Sequence, residues 1–148
     1  MQIGELARRT GCPVETIRYY ERQGMLAAPS RSEGNYRLYE AAHAERLQFI
    51  RHCRSLDMTL EEIRCLLQFR DEPEQNCGAV NELLDKHIEH VALCIHELKL
   101  LQQQLKQLRS TCRSVQRVKE CGILQGLALA QPEDNGARKL GTHTGGCH

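Results

Sequence analysis

The feature that most constrains this fold is an apolar repeat in the second half of the chain. Positions separated by alternating steps of four and three residues hold mostly Val, Leu and Cys. They are Val80, Leu84, His87, Val91, Cys94, Leu98, Leu101, Leu105, Leu108 and Cys112. A repeat of about 3.5 residues indicates a coiled-coil helix, which we predict over residues 79–112. A helix of roughly 50 Å is too long to bury its own apolar face, so we expect a homodimer through it.

The cysteines favour an antiparallel arrangement of the two dimer helices. Cys77 and Cys112 are 35 residues apart, which is five heptads. If Cys77 faces the partner's Cys112, the residue numbers of facing positions add up to 189. The same rule places Leu84 opposite Leu105, so apolar positions meet one another. We therefore expect Cys77 of each protomer to lie beside Cys112 of the other.

The first 70 residues predict a different kind of unit. Two short amphipathic helices are separated by Gly11, Cys12 and Pro13, which is typical of a helix-turn-helix. Gly34-Asn35 suits a tight hairpin turn, and Thr59 to Glu62 forms a capping box at a further helix start. We therefore predict a mainly α fold. It consists of an N-terminal winged helix-turn-helix with a small β-hairpin, followed by a long antiparallel coiled-coil dimerisation helix.

The remaining segments complete the predicted organisation. We predict that residues 1–70 form the winged helix-turn-helix unit, a type that binds DNA, and that residues 71–78 are a linker rich in polar residues. We expect residues 113–130 to form a loop with a short helix, which the cysteines described below make a candidate metal-binding loop, and residues 131–148 to be a flexible tail carrying His and Cys. The sequence shows neither a signal peptide nor an apolar run long enough to cross a membrane, so we expect a cytoplasmic protein without a membrane partner.

Eight cysteines in 148 residues are many for a reduced compartment, where they remain thiols. The absence of a CxxC pair excludes zinc-ribbon and thioredoxin-type sites. The antiparallel register instead brings together Cys77 and the partner's Cys112, and Cys121 can fold back as a third thiolate. Three thiolates favour Pb(II), Cd(II), Hg(II) or Zn(II) over hard cations. A site without a fourth protein ligand best suits Pb(II) or Hg(II).

The other cysteines and the histidines have a simpler interpretation. Cys12, Cys53 and Cys65 are predicted to pack as small hydrophobic residues. Packing is also the first interpretation of Cys94 and His87, which lie on the seam. The alternative is a second metal site formed by His87, His90, His143, Cys147 and His148.

Polar side chains on the second helix and the hairpin predict a DNA-binding surface. The helix supplies Thr16, Arg18, Tyr19 and Tyr20, and the hairpin supplies Arg31, Asn35, Tyr36 and Arg37. Arginine can reach a phosphate or a guanine edge, and hydroxyl groups can bond phosphate oxygens. The alternative is that the tyrosines belong to the core and the arginines are solvated.

Three motifs resemble the MerR family of bacterial transcription regulators. They are Ile3-Gly4-Glu5-Leu6-Ala7, Thr16-Ile17-Arg18-Tyr19-Tyr20-Glu21 and Asn35-Tyr36-Arg37-Leu38-Tyr39. The stretch from Phe49 to Met58, and Cys77 before the dimer helix, are similar to the cadmium- and lead-responsive branch. The loop between Cys112 and Cys121 is similar to lead sensors, whereas the His-bearing tail is similar to cadmium sensors.

The resemblance implies a function. Members of the family repress a promoter without metal. With metal they distort the promoter DNA so that RNA polymerase can use it, here for a heavy-metal resistance promoter. Pb(II) or Cd(II) is the implied cofactor, with Zn(II) and Hg(II) as further candidates.

Other functions fit the sequence less well. A thiol-rich metal buffer or chaperone would leave Arg18 and the hairpin without a role. A drug or oxidant sensor of the same family would not need the dimer-helix cysteine pair. An enzyme with a Cys nucleophile is not predicted, because no cysteine has a suitable His and carboxylate pattern.

Overall fold

The computed structural model describes residues 1–130, which form six α-helices and one two-stranded antiparallel sheet. The elements are α1 (Ile3–Thr10), α2 (Val14–Arg22), β1 (Ser30–Arg31), β2 (Arg37–Leu38), α3 (Ala41–Ser55), α4 (Leu60–Arg70), α5 (Gly78–Ser110) and α6 (Gly122–Leu129). The chain divides into two compact units, one ending at Leu83 and the next beginning at Leu84. The mainly helical fold class is confirmed.

The first unit has a well-formed apolar core. Leu6 of α1, Ile17 of α2, Leu47 and Ile50 of α3 and Ile63 of α4 are completely buried. Two glycines shape the connections, because Gly11 and Gly24 have φ values of 68° and 73° after α1 and α2. The helix-turn-helix prediction is therefore confirmed, with α2 as its second helix.

The predicted wing is a short hairpin. Ser30 pairs with Leu38, and Arg31 pairs with Arg37. Asn35 takes the left-handed conformation at the turn, with φ of 64°, and asparagine tolerates this conformation better than most residues. A Cβ on Gly34 would lie 3.0 Å from the Tyr36 ring, so a larger residue there would require the exposed ring to shift.

Capping boxes begin both α3 and α4. The Thr59 hydroxyl accepts from the Glu62 N–H, and the Glu62 carboxylate accepts from the Thr59 N–H. Glu40 and His43 make the corresponding pair at α3, where the His43 Nδ1 accepts from the Glu40 N–H. The box at Thr59 matches its prediction from sequence. The box at Glu40 was not predicted, because histidine is not among the usual capping-box residues.

Helix α5 ends at Ser110, two residues before the predicted limit at residue 112. The N–H groups of Thr111 and Cys112 continue as a tighter turn, donating to the carbonyls of Leu108 and Arg109. At this end, the Ser110 and Thr111 hydroxyls donate to the carbonyls of Gln107 and Leu108. These bonds satisfy two of the acceptors that a continuing helix would use.

The segment after α5 folds back in two short pieces. A 3-10 turn over Val118–Glu120 precedes α6, and the two contact each other. A Cβ on Gly122, the first residue of α6, would clash with the Thr111 carbonyl oxygen, and Gly126 lies against Leu108. The short helix predicted here is confirmed, and the predicted tail over residues 131–148 lies outside the described residues.

Candidate DNA interface and metal loop

The recognition helix α2 presents one polar face. Ile17 is buried against the core, whereas Arg18 is exposed and Thr16 is half-buried. The ring of Tyr19 is 37% exposed. Arg18 and Tyr19 of the predicted DNA interface are therefore long side chains accessible at the surface of α2, and Arg22 at the end of the helix is exposed as well.

Tyr20 requires a correction to the predicted interface. Its surface is only 6% exposed, and the same burial raises the pKa of its hydroxyl. A ring packed in the core presents little surface to a phosphate, so we remove Tyr20 from the DNA contacts. Its neighbour Tyr19 packs against it with ring centroids 5.8 Å apart and keeps the more exposed position.

The wing carries its own donors. The Arg31 Nη1 donates to the backbone oxygen and the side-chain oxygen of Asn35 at 3.3 and 3.4 Å, which orients the guanidinium along the hairpin. Tyr36 is 64% exposed at the turn. These three residues remain available at the surface of the DNA-binding unit, as predicted from their types.

A carboxylate that we did not predict as a site residue ties the wing to the recognition helix. The Arg37 Nη1 donates to Glu21 Oε2 at 2.9 Å, and the Tyr39 hydroxyl donates to Glu21 Oε1 at 2.5 Å. Burial raises the pKa of Tyr39, and the hydrogen bond to Glu21 adds to this effect. Arg37 therefore positions the wing as well as offering charge. The sequence signal was an acid among arginines, directly after the two tyrosines of α2.

Two of the three predicted metal cysteines lie together. Cys112 follows the end of α5, and Cys121 directly precedes α6. Their side chains are within hydrogen-bonding reach, because the loop returns to the end of α5. The Arg109 Nη1 donates to the Cys112 carbonyl at 2.9 Å and helps to fix this end of the loop.

The loop favours the thiolate form of Cys121. The backbone N–H groups of Leu124 and Ile123, at the start of α6, are the main cause of a lowered Cys121 pKa. The neighbouring Cys112 and the positive charge of Arg109 lower it further. Because the thiolate is the form that binds metal, this environment prepares the sulfur as a ligand.

Cys77 lies at the other end of α5. It is exposed, and its carbonyl oxygen accepts the Asn81 N–H in the first turn of the helix. Within the described residues, His, Cys, Asp and Glu side chains form no group of three that could hold a metal ion. The single chain therefore brings Cys112 and Cys121 together but does not add Cys77 to them.

The sequence matches two family models, both of them for parts of MerR proteins. Residues 1–70 match the family described as "MerR HTH family regulatory protein", and residues 44–108 match "MerR, DNA binding". The ZntR homolog of Haemophilus influenzae, an HTH-type transcriptional regulator, is 50% identical over 109 residues, covering 74% of this chain and 81% of that protein. This chain belongs to the MerR family. It is therefore a DNA-binding transcription regulator, as its resemblance to the family implied.

Solved structures of other MerR proteins resemble this one. The transcription regulator PbrR691 from Ralstonia metallidurans CH34, solved in complex with lead(II), is 52% identical with a TM-score of 0.77. The alignment covers 86% of this chain and 98% of that one. MerR from Bacillus megaterium MB1, in complex with a mercury(II) ion, is 32% identical with a TM-score of 0.66, covering 86% and 99% of the two chains.

Some of the remaining predicted metal ligands lie within the residues that the structure describes, and some lie outside them. His87 is buried on α5, and His90 is half-buried one turn later. His143, Cys147 and His148 lie outside the described residues. The predicted packing cysteines Cys12 and Cys53 are buried, whereas Cys65 is half-buried.

The relatives of this chain are regulators, and none of those named above is an enzyme. Over the described residues, each helix is too short or too polar to span a bilayer.

Proposed function

We propose that this MerR regulator represses a heavy-metal resistance promoter without metal and activates it when Pb(II) or Cd(II) binds, Zn(II) and Hg(II) being weaker candidates. The observation that carries the proposal is the adjacency of Cys112 and Cys121, together with the lowered Cys121 pKa. Two adjacent sulfurs, one of them prepared as a thiolate, favour a soft cation over a hard one. The likeness to a regulator solved with lead(II) supports the same ion class.

The third ligand in this proposal is Cys77 of the partner subunit. Helix α5 runs over Gly78–Ser110, so its midpoint lies at residue 94. The antiparallel register that pairs Cys77 with the partner's Cys112 has its two-fold axis between residues 94 and 95, so in it two such helices overlap along nearly their whole length. Cys77, just before one helix, would then lie beside the partner's Cys112, just after the other, even though Cys112 is outside the helix.

Exposed side chains on α5 support this register. Val91 and Leu98, which face each other in it, are 40% and 36% exposed in the single chain. Two isoleucines outside the predicted seam, Ile88 and Ile95, are 61% and 49% exposed. The same register places Ile88 opposite Leu101 of the partner subunit. Ile88, which the predicted seam does not include, therefore also gains an apolar contact.

The function follows from where these ligands lie in the chain. Cys77 ends the linker that leaves the DNA-binding unit, whereas Cys112 and Cys121 belong to the loop after the partner's helix. A divalent ion held by all three thiolates ties that linker to that loop. We propose that this tie changes the pose of the two winged units and thereby the shape of the bound promoter. DNA deformation has a sequence-dependent cost, so the response need not require new base contacts.

Mixed dimers test whether the site is shared. One protomer carries Cys77→Ser and the other carries Cys112→Ser, and Pb(II) and Cd(II) are titrated with detection of thiolate-to-metal absorbance. We expect one intact site per dimer, because one end keeps all three thiolates and the other loses two. Two intact sites, or none, would contradict a ligand set that crosses the subunits.

Single variants test the link to transcription. We expect Cys77→Ser, Cys112→Ser and Cys121→Ser each to abolish metal-dependent transcription while promoter binding stays within about twofold of wild type. Cys65→Ser is the matched control, because it removes a half-buried thiol outside the proposed site. Salt-dependent promoter binding separates this function from that of a metal buffer, which would bind metal without binding DNA.

A further inference from the structure

Arg46 joins two parts of the DNA-binding unit that are far apart in sequence. Its Nε donates to the carbonyl oxygen of Met25 at 2.6 Å. Its Nη1 donates to the two carboxylate oxygens of Asp71 at 3.1 and 3.4 Å. One planar guanidinium therefore binds the segment after α2 and the first residue after α4 at the same time, which a lysine ammonium cannot do with the same geometry.

Both partners of Arg46 are fixed to the helices that they follow. Met25 is 1% exposed, and its N–H donates to the Tyr20 carbonyl at the end of the recognition helix. The Asp71 N–H donates to the Leu67 carbonyl at the end of α4. A displacement of Asp71 therefore acts, through Arg46, on the segment that ends the recognition helix.

The chain between Asp71 and Cys77 is held by local hydrogen bonds. The Gln75 N–H donates to the Glu72 carbonyl at 3.2 Å, and the Asn76 Oδ1 accepts the Gly78 N–H at 2.9 Å at the start of α5. These turns limit the conformations of the linker. The proposal below requires that a change in the position of Cys77 move Asp71 through them.

The contact at Asp71 is also able to change. Its carboxylate is 58% exposed, and the Arg46 side chain is 25% exposed, so the ion pair is weak and reversible. A cavity of about 460 Å³ adjoins the pair and is lined in part by Leu26, His43 and Arg70. The carboxylate has room to move in this cavity without disturbing the buried core.

We propose that Arg46 is a positioning residue that transmits the state of the linker to the end of the recognition helix. It acts through Asp71 on one side and Met25 on the other. The proposal rests on the function proposed above, because it concerns how metal binding at Cys77 alters the bound DNA. It requires that Arg46 affect the coupling between metal and DNA, and not the affinity for either one alone.

Asp71→Ala is the principal test, because it removes the exposed end of the contact and leaves the bond from Arg46 to Met25. We measure the affinity of the free protein for Pb(II) and Cd(II), the affinity of the metal-free dimer for its promoter, and the ratio of transcription with and without metal. We expect both affinities to stay within about twofold of wild type. The transcription ratio should fall by about two- to fivefold, the range for losing an exposed ion pair.

Arg46→Lys and Glu61→Ala complete the design. The lysine variant keeps the charge but cannot make both contacts, so its transcription ratio should fall as in Asp71→Ala. Glu61→Ala removes the exposed carboxylate of a neighbouring ion pair, 3.4 Å from Arg64, and should leave the ratio unchanged. The DNA-induced change in metal affinity should decrease by the same factor as the metal-induced change in DNA affinity, because coupling is reciprocal.

The outcomes separate this proposal from the proposed function. Wild-type transcription ratios in both Asp71→Ala and Arg46→Lys would overturn the role of Arg46 and leave the metal response intact. An equal loss in Glu61→Ala would also overturn it, since any ion pair at this surface would then suffice. Absence of a metal response in the wild-type protein would overturn both proposals together.

Discussion

The environments of individual cysteines divide this protein into two chemical regions. Burial raises the pKa of Cys12 and Cys53 in the DNA-binding unit, which keeps them as neutral thiols. The α6 N-terminus lowers the pKa of Cys121 in the loop. Residue type alone does not distinguish these cysteines, because the differences come from burial and from backbone N–H groups.

The Cys121 pKa predicts a pH-dependent reaction. In the reduced, metal-free protein, we expect its alkylation to become fast at a lower pH in the folded than in the urea-denatured chain. A lowered folded pKa means that the thiolate contributes stability above the unfolded pKa, and this contribution disappears as the pH falls through the folded pKa. Peptide mass spectrometry after timed iodoacetamide pulses measures the reaction.

Arg109→Gln is the matched variant for this measurement, because it removes a charge that lowers the Cys121 pKa. Its alkylation profile should move towards higher pH. Identical pH profiles in the folded and denatured chains would contradict the proposed activation.

Arg18 is the side chain of the recognition helix whose removal should most weaken promoter binding. We expect Arg18→Ala to cost about 1–3 kcal/mol of binding free energy, since a phosphate or guanine contact is lost. Metal affinity should not change. Fluorescence anisotropy at several salt concentrations measures the loss, and Lys106→Ala, which removes an equal charge from exposed α5, is the control. A comparable loss in both variants would indicate a general charge effect.

At the scale of elements, local sequence signals predicted the helices and turns well. The site was predicted less well, because it depends on contacts between residues that are far apart in the sequence. The capping box at Thr59 and the turns at Gly11 and Gly24 are encoded within a few residues, and they form as expected. Tyr19 and Tyr20 are adjacent and chemically identical, so only the packing of α2 on the core decides which ring is buried. The role of Glu21 was missed for the same reason, since its partners lie 16 and 18 residues further along the chain.

The end of α5 shows that a heptad pattern does not predict where a helix stops. The spacing placed Cys112 on the seam, yet the regular helix ends at Ser110, two residues before it. Periodicity counts positions without regard to whether the backbone remains helical. Cys112 and Cys121 are adjacent because the loop folds back to the end of α5. The sequence signal for this was Gly122, where the backbone passes close to the Thr111 carbonyl.

Gly122 should therefore be essential for the metal loop. We expect Gly122→Ala to lower metal affinity at least about tenfold, because its Cβ would clash with the Thr111 carbonyl and force α6 away from Cys112. Promoter binding by the metal-free protein should be unchanged. Competition with a chromophoric chelator measures the metal affinity.

Gly126→Ala provides a close control within the same helix. A Cβ there would lie 3.5 Å from the Leu108 Cδ1, which is an ordinary contact, and alanine favours a helix over glycine. We expect its metal affinity to match wild type. If Gly126→Ala weakened binding as much as Gly122→Ala, the clash would not be the cause.

For the whole molecule, the apolar surface of α5 requires association. Val91, Leu98 and Leu105 of the predicted seam are all at least one-third exposed in the single chain. A monomer would keep this surface in water, at a cost that burial against a second copy removes. The proposed shared cysteine site would depend on the same helix as dimerisation.

The dimer can be tested directly by introducing a charge into the seam. We expect Leu98→Asp to convert the protein to monomers in analytical ultracentrifugation, because the register brings Leu98 against the partner's Val91. Promoter binding and metal binding should both decline, since both need two copies. Lys99→Asp introduces the same side chain at an exposed neighbouring position and should leave the dimer intact. A dimeric Leu98→Asp protein would contradict the register.

The burial of Cys12 and Cys53 has a consequence for a cell under oxidative stress. Peroxide reacts with accessible thiolates first, so the loop cysteines should be modified before the buried Cys12 and Cys53. Under the proposed function, such a protein would still bind its promoter but would no longer respond to metal. The gene would then stay repressed until new or repaired protein restored the response.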